Sequence, residues 1–343
     1  LPQGEGGVRG TAAYTTNSIS TLSEPGFYFS LSDSDRQKLC DWLLDQHYQT
    51  THPYTNAAPG GWAWTDLSGG VPDADDTPGA LLALKNLGIR NERVQHAVKM
   101  GIRWLLEIQN ADGGIPTFCR GWTNLPFDRS SPDLTAHALR AWNAWLPETN
   151  GAPSTRSAFG NEAPAEGAEQ VLGAPRIIAG IEAGLNYLHA TQRADGAWLP
   201  LWFGNQHSID DENPTYGTAR VLMALNDLSS RHSPIIRQMT TRATEWLCNA
   251  QKPDGSWGGG NKGPASIEES ALALEALAGV KGNDAAVKRA TTMGAKWLIE
   301  QVNNGKWIEP SAIGFYFAKL WYFEKLYPMI FTVGALTKCR NIT

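Results

Sequence analysis

Three carboxylates fall within four positions in Gly69-Gly-Val-Pro-Asp73-Ala-Asp75-Asp76-Thr77-Pro78, directly before a stretch of helical apolar period. One acid suffices to cap a helix and meet its dipole; three crowd one another. Mutual repulsion pushes a proton back onto at least one of them, while the dipole opposes that shift. Three chemistries use such a cluster. A metal site would need further ligands, and nothing nearby has their spacing. A glycosidase needs two carboxyls about 5–9.5 Å apart across a sugar, which one tight cluster does not supply. A strong general acid needs one carboxyl kept protonated by its neighbours. The later run Asp210-Asp211-Glu212 reads as a solvated loop. His137 stands four residues after Asp133, on the same helix face, where the two read as a pair.

The elements that position these groups repeat along the chain. Gln109, Gln192, Gln251 and Gln301 each open a Q-x-x-[DN]-G turn, and the last three are completed by Trp198, Trp257 and Trp307. The first has Gly114-Ile115 where Trp is expected, and a degenerate fifth copy runs from Trp42-Gln46 to Gly61-Trp62. In such a turn Gly permits the bend, Asp caps it and Trp packs between helix ends, so these are staples. Helical periods lead into the turns over 33–46, 92–109, 176–192, 234–251 and 284–301. Others follow them over 77–87, 132–145, 214–228, 267–278 and 314–326. Ser131-Pro132, Asn213-Pro214 and Ser233-Pro234 read as N-caps followed by Pro, and Ser266 with Glu269 as a capping box. Residues 147–173 have no apolar period and read as a surface insert. No strand-like alternation is present. Paired helices recurring in one large unit imply an open solenoid or a closed toroid.

Composition narrows the class. In 343 residues, 42% are hydrophobic and the net charge is -5, which excludes disorder as the main theme. With 29 Lys+Arg against 34 Asp+Glu, a basic nucleic-acid binder is excluded. Cys40, Cys119, Cys248 and Cys339 show no paired spacing, which implies a reduced, cytoplasmic setting. No apolar run reaches the length of a membrane span, and the opening LPQGEGGVRG has neither Met nor a signal pattern. A processed chain or a fragment is expected.

Taken together, Asp73-Ala-Asp75-Asp76-Thr77 and the Q-x-x-D-G-x-W turns resemble the D-x-D-D-T acid motif and QW repeats of class II terpene cyclases. The match is nearest to bacterial squalene–hopene cyclases and runs from about Gly60 to the C-terminus. The acid motif with Cys of oxidosqualene cyclases and the Asp/Cys/His zinc set of prenyltransferase β-subunits are absent.

The resemblance implies an all-α fold, an α/α toroid (α6–α6 barrel), with no cofactor and no metal. It implies that Asp75 protonates a terminal alkene of squalene or another polyprenyl chain, that Asp73 and Asp76 hold it, and that His137 supplies an imidazolium to the carboxyl. It implies that Trp64, Phe118, Trp202, Tyr216, Tyr316 and Phe323 face the cations that follow. Aromatic faces stabilise positive charge without bonding to it, although each of these rings could equally be core packing. Relatives carry tyrosines where this chain has Leu320 and Phe323, and the 147–173 insert is outside the family pattern. Peripheral, monotopic membrane contact follows from the substrate's hydrophobicity.

Family members have two toroids. Residues 1–48 therefore either belong to the other toroid or complete this one, with Thr11–Leu22 inside, 33–46 outside and 330–339 as the sixth outer helix; residues 49–343 form the acid-bearing toroid. A second toroid or a homodimer is an expected partner. The competing readings are a non-catalytic toroid that needs a partner domain and a carbohydrate-active toroid.

Overall fold

A computed structural model describes residues 31–67, 69–117, 128–146, 174–231, 233–260, 263–310, 312–315 and 320–340. Helices α1 (Asp33–Asp45), α3 (Glu92–Ile108), α5 (Ala174–Thr191), α7 (Pro234–Ala250) and α9 (Ala285–Asn303) alternate with α2 (Asp76–Leu87), α4 (Pro132–Trp145), α6 (Pro214–Asp227), α8 (Ile267–Ala278) and α10 (Tyr327–Arg340). The second set forms an inner ring in which each helix packs on the next. The first set lies outside, with α1 against α3, α5 against α7 and α7 against α9. This is the α/α toroid. Its core runs between the rings, and Trp104, Trp142, Trp198 and Trp257 are fully buried there.

The turns are staples, and each atom of the motif has a task. Gln109, Gln192 and Gln251 donate through Nε2 to the glycine carbonyl of their own turn and to a carbonyl of the next outer helix, that of Gly180, Met239 and Ala290 respectively. Asp112, Asp195 and Asp254 each accept an amide two residues on. Gly113, Gly196 and Gly255 have φ of +87°, +100° and +96°. A Cβ at these glycines would overlap the carbonyl oxygens of Ala183, Arg242 and Met293, so only glycine lets the turn touch the next helix. The indoles of Trp62, Trp198 and Trp257 donate to Leu43, Leu188 and Leu247 in the helix just left. Trp62 shows that the degenerate copy is a working staple.

A further latch ties turn to inner ring. The backbone N–H of Trp62, Ile115, Trp198 and Trp257 donates to the hydroxyls of Thr77, Thr135, Thr218 and Ser270, at 2.8–3.0 Å. Each hydroxyl sits in the first turn of the next inner helix. The latch therefore sets a common register among α2, α4, α6 and α8.

Several expectations need correction. Residues 314–326 do not form an inner helix. An antiparallel hairpin, β1 (Ala312–Phe315) with β2 (Leu320–Phe323), stands there instead, pairing Ala312 with Phe323 and Phe315 with Leu320. Aromatic residues favour strands and an internal Gly314 weakens a helix, and here this local preference prevails over the repeat. Residues 330–339 are not an outer helix: α10 packs on α8 and takes the inner place. Gly334 faces Glu275 of α8, whose carboxylate oxygen would lie 2.9 Å from a Cβ placed there. The Gln301 turn is no staple; its amide reaches only Trp297, and Gly305 faces open space. Ser131 and Ser233 occupy N-cap positions without a capping bond. Asn213 and Ser266 do cap, bonding the amides of Tyr216 and Glu269. The proposed inner helix Thr11–Leu22 and the 147–173 insert lie outside the described residues.

Because Trp257 fills the core between α7, α8 and α9, Trp257→Ala is expected to lower stability by about 3–5 kcal/mol. Urea unfolding followed by circular dichroism measures it, and a loss below about 1 kcal/mol would contradict the staple role.

Candidate active site

The acid segment is the loop between the Trp62 staple and α2. Thr77 holds the Trp62 amide, the Asp73 amide donates back to the Trp62 carbonyl at 3.0 Å, and Ala74 donates to Thr117 at 2.8 Å. Asp73 is buried, and its Oδ1 accepts the amides of Asp75 and Asp76 at 2.8 and 2.7 Å. It thereby does the capping for α2. Asp75 makes no capping bond, so its carboxylate is free to face the ring interior. The three acids thus divide their work instead of converging on one point, and no group of three metal-ligating side chains is found among the described residues.

The shared register brings other groups to Asp75. His137 and Arg220 each stand two residues beyond their latch hydroxyl, Thr135 on α4 and Thr218 on α6. The equivalent residue on α2 is Gly79, which leaves room beside the His137 ring. Asp75 Oδ1 lies 3.4 Å from His137 Nδ1 and 3.6 Å from an Arg220 amino nitrogen, which itself lies 3.3 Å from His137 Nδ1. One imidazole nitrogen cannot both donate to Asp75 and accept from Arg220. Arg220 also lies over the Tyr216 ring, 5.8 Å from its centroid. Asp133 is not paired with His137. Its Oδ1 accepts from the Ser131 hydroxyl, and its Oδ2 is buried without a partner.

Burial and neighbours set the charges. Burial alone would raise Asp75, but the hydrogen bond with His137 and the charge of Arg220 outweigh it and hold the carboxyl below the usual range. Burial, then Arg220, pushes His137 down to about 4, so it is neutral at pH 7. Burial, then the Asp76 charge, raises Asp73 well above the ordinary value, against the amide hydrogen bond from Asp76. Burial lifts Asp76 to about 6 against a hydrogen bond from Asp73, with Asp75 adding to the rise. Asp133 also rises to about 6, through burial against the Ser131 hydrogen bond.

Asp75, Asp76, His137 and Arg220 line one part of a cavity of about 550 Å³, whose other walls include Trp42, Trp62, Trp64, Tyr216, Tyr327 and Phe331. Of the residues singled out from the sequence, Asp75, Asp76, His137, Trp64 and Tyr216 meet here. Asp73 lies beneath, bonded to the α2 amides. Trp202 is buried away from the cavity lining, its indole donating to Thr117. Phe323 is exposed on the hairpin and does not line the cavity. Phe118 and Tyr316 lie outside the described residues. Arg220 was missed. Its signal was a lone cation inside the apolar run of α6, four residues after Tyr216.

Asp133 carries a sign-definite pH effect. Its folded value of about 6 exceeds the ordinary value of 3.8, so its contribution to stability is present at low pH and is lost as pH rises through that window. Asn cannot ionise. Asp133→Asn is therefore expected to gain on the wild type by about 2–3 kcal/mol between pH 4 and pH 7. Urea unfolding at both pH values tests this; a pH-independent difference would refute it.

Comparisons with known proteins place the chain by sequence and by fold. The family model for the squalene–hopene cyclase C-terminal domain matches residues 15–139 and 170–341. A squalene–hopene cyclase of Bradyrhizobium diazoefficiens is 28% identical over 339 residues, covering 88% of this chain and 44% of the relative. Enfumafungin synthase of Hormonema carpetanum is 26% identical over 317 residues, covering 84% of this chain and 21% of the relative. The chain thus spans less than half the length of these curated relatives. A variant of the type II terpene cyclase MstE from Scytonema, in complex with merosterolic acid A, shares the fold. It has a TM-score of 0.63 at 17% identity, over 94% of this chain and 84% of that one. The ent-copalyl diphosphate synthase of Streptomyces platensis has a TM-score of 0.56 at 21% identity, over 94% of this chain and 48% of that one. With the family model covering both the acid loop and the stapled ring, this chain belongs to the squalene–hopene cyclase C-terminal domain family, within the class II terpene cyclases.

Proposed function

We propose that this chain carries the acid machinery of a class II terpene cyclase and starts cyclisation of squalene or another polyprenyl chain by protonating its terminal alkene. The observation that carries the reading is Asp75, free of capping duty, at the edge of an aromatic-walled cavity with His137 and Arg220 beside it. An alkene is a very weak base, so the acid that protonates it must be strong. A carboxyl held below the usual range meets that need. Its side chain is 35% exposed to the cavity. An apolar chain that fills the cavity removes water from it, disfavours the anion and draws the proton on. Asp73 fixes the loop, Asp76 shares its hydrogen bond, and Trp64, Tyr216 and the neighbouring rings offer faces to the cations. Phe118 and Tyr316 extend that set by resemblance alone.

A second reading has an observation in its favour. Trp42 and Trp64 on the cavity wall are 57% and 53% exposed, which suits a wall completed by a partner domain. In that reading residues 49–343 are one half of a two-toroid enzyme. The packing of α1 on α2 and α3 favours assigning residues 1–48 to this toroid. Peripheral membrane contact is supported by the exposed Leu326, Ile330 and Val333 near the start of α10. Among the described residues no helix is long and apolar enough to cross a membrane. The free Cys40, Cys248 and Cys339 fit a cytoplasmic setting.

The purified chain, incubated with squalene in detergent and assayed by gas chromatography–mass spectrometry, should yield cyclised product. Asp75→Asn should reduce its rate by about 10²–10⁴-fold. Product formation unchanged in that variant would refute the assignment.

A further inference from the structure

We propose that Arg220 is the permanent counter-charge for the Asp75 carboxylate, stabilising the anion left when the proton departs to the alkene. The inference rests on the cyclase reading and assigns to α6 a task that the resemblance gives to an imidazolium at His137. Arg220 is a positioning residue: it acts through Asp75.

The geometry carries this. A guanidinium has only donors and keeps its charge at any working pH. Here it reaches Asp75 Oδ1 at 3.6 Å and His137 Nδ1 at 3.3 Å. Nδ1 either donates its own proton to Asp75 or, with the proton on Nε2, accepts from Arg220, and the imidazole is neutral in both tautomers. His137 then brings no charge, and the positive charge in contact with Asp75 is that of Arg220. The latches of Thr135 and Thr218 hold the two at matching positions on adjacent inner helices. Other titratable groups bear on the pair from every side. They are Asp76 from α2, Asp133 and Arg140 from α4, Tyr216 from α6, Glu275 from α8 and Tyr327 from α10. None of these acids is recorded within ion-pair distance of Arg220, as Asp75 is.

In the step itself, the alkene π pair forms a C–H bond with the Asp75 proton, the carboxyl O–H bond breaks, and a carbocation and a carboxylate result. The final cation releases one proton, directly or from an added water, and one proton from solvent restores Asp75. Between these events the carboxylate faces a cation it could recapture or deprotonate. Arg220 makes it a poorer base throughout.

The test compares wild type, Arg220→Gln and Arg220→Lys. The Asp75 carboxyl is followed by carbon-13 NMR in Asp-labelled protein, assigned with Asp75→Asn, and turnover of squalene is measured against pH. In the wild type Asp75 should titrate below the ordinary Asp value of about 3.9. In Arg220→Gln its midpoint should rise by about one unit or more. The high-pH limb of kcat should move up with it, and the plateau should fall about tenfold or more. Arg220→Lys should recover most of both changes.

A wild-type Asp75 that titrates above the ordinary value overturns the inference, whatever the variants' folding. So does an unmoved midpoint in Arg220→Gln. A rise in KM with an unchanged limb would make Arg220 a substrate contact, and Lys failing as Gln does would make its role one of shape. If the wild type turns over no polyprenyl substrate, the cyclase reading fails for this chain, and the carboxyl titration still decides the charge assignment.

Discussion

The structure depends on one repeated hydrogen bond: a turn amide donating to a Thr or Ser hydroxyl in the first turn of the following inner helix. At Trp62–Thr77, Ile115–Thr135, Trp198–Thr218 and Trp257–Ser270 the same bond recurs, buried each time. A buried amide left without its acceptor costs about 1–3 kcal/mol, so the register it sets is held firmly. The Gln, Asp and Gly of each turn tie the outer ring to the same point. The acid loop is an ordinary element of this system. Thr77 is at once the last residue of the Asp73–Thr77 motif and the latch of α2.

That coupling explains how charges dispersed over the sequence come to share one corner. Arg220 is largely withdrawn from solvent, its side chain 17% exposed, which is costly for a charge unless it is paired. The pairing with Asp75 repays part of the cost and leaves the carboxylate in its ionised form. Asp73 and Asp76, a few residues away, are pushed the other way because burial dominates and no cation reaches them. Three acids of one short motif thereby acquire distinct characters: a buried cap shifted up, a group at the cavity held down and an intermediate neighbour. Under the proposed chemistry, the division matters because only the group beside the cavity needs to be a strong acid.

The repeat fails at one end of the chain, and the reason is local. Among the described residues no outer helix follows α9 for the Gln301 turn to grip, a Cβ at Gly305 would meet nothing within 4 Å, and the staple does not form. Residues 312–315 and 320–323 then follow a strand preference and pair antiparallel. The inner position next to α8 goes instead to α10. Helix type and position were legible wherever a turn motif bracketed the segment, as for α3, α5 and α7. They were not legible where only composition spoke.

The sequence by itself determined the alternation of helices, the staples and the loop that presents the acids. Each of these rests on residues close together in the chain: Asp with Gly in a turn, Pro after a cap, apolar side chains at helical spacing. Only the tertiary structure decided that His137 faces Asp75 and not Asp133, that Arg220 joins them, and that Asp75 rather than Asp73 is left to face the cavity. Those outcomes depend on contacts between helices far apart in sequence, and on how burial and one fixed positive charge divide protons among neighbouring carboxyls. Spacing along a chain carries neither quantity.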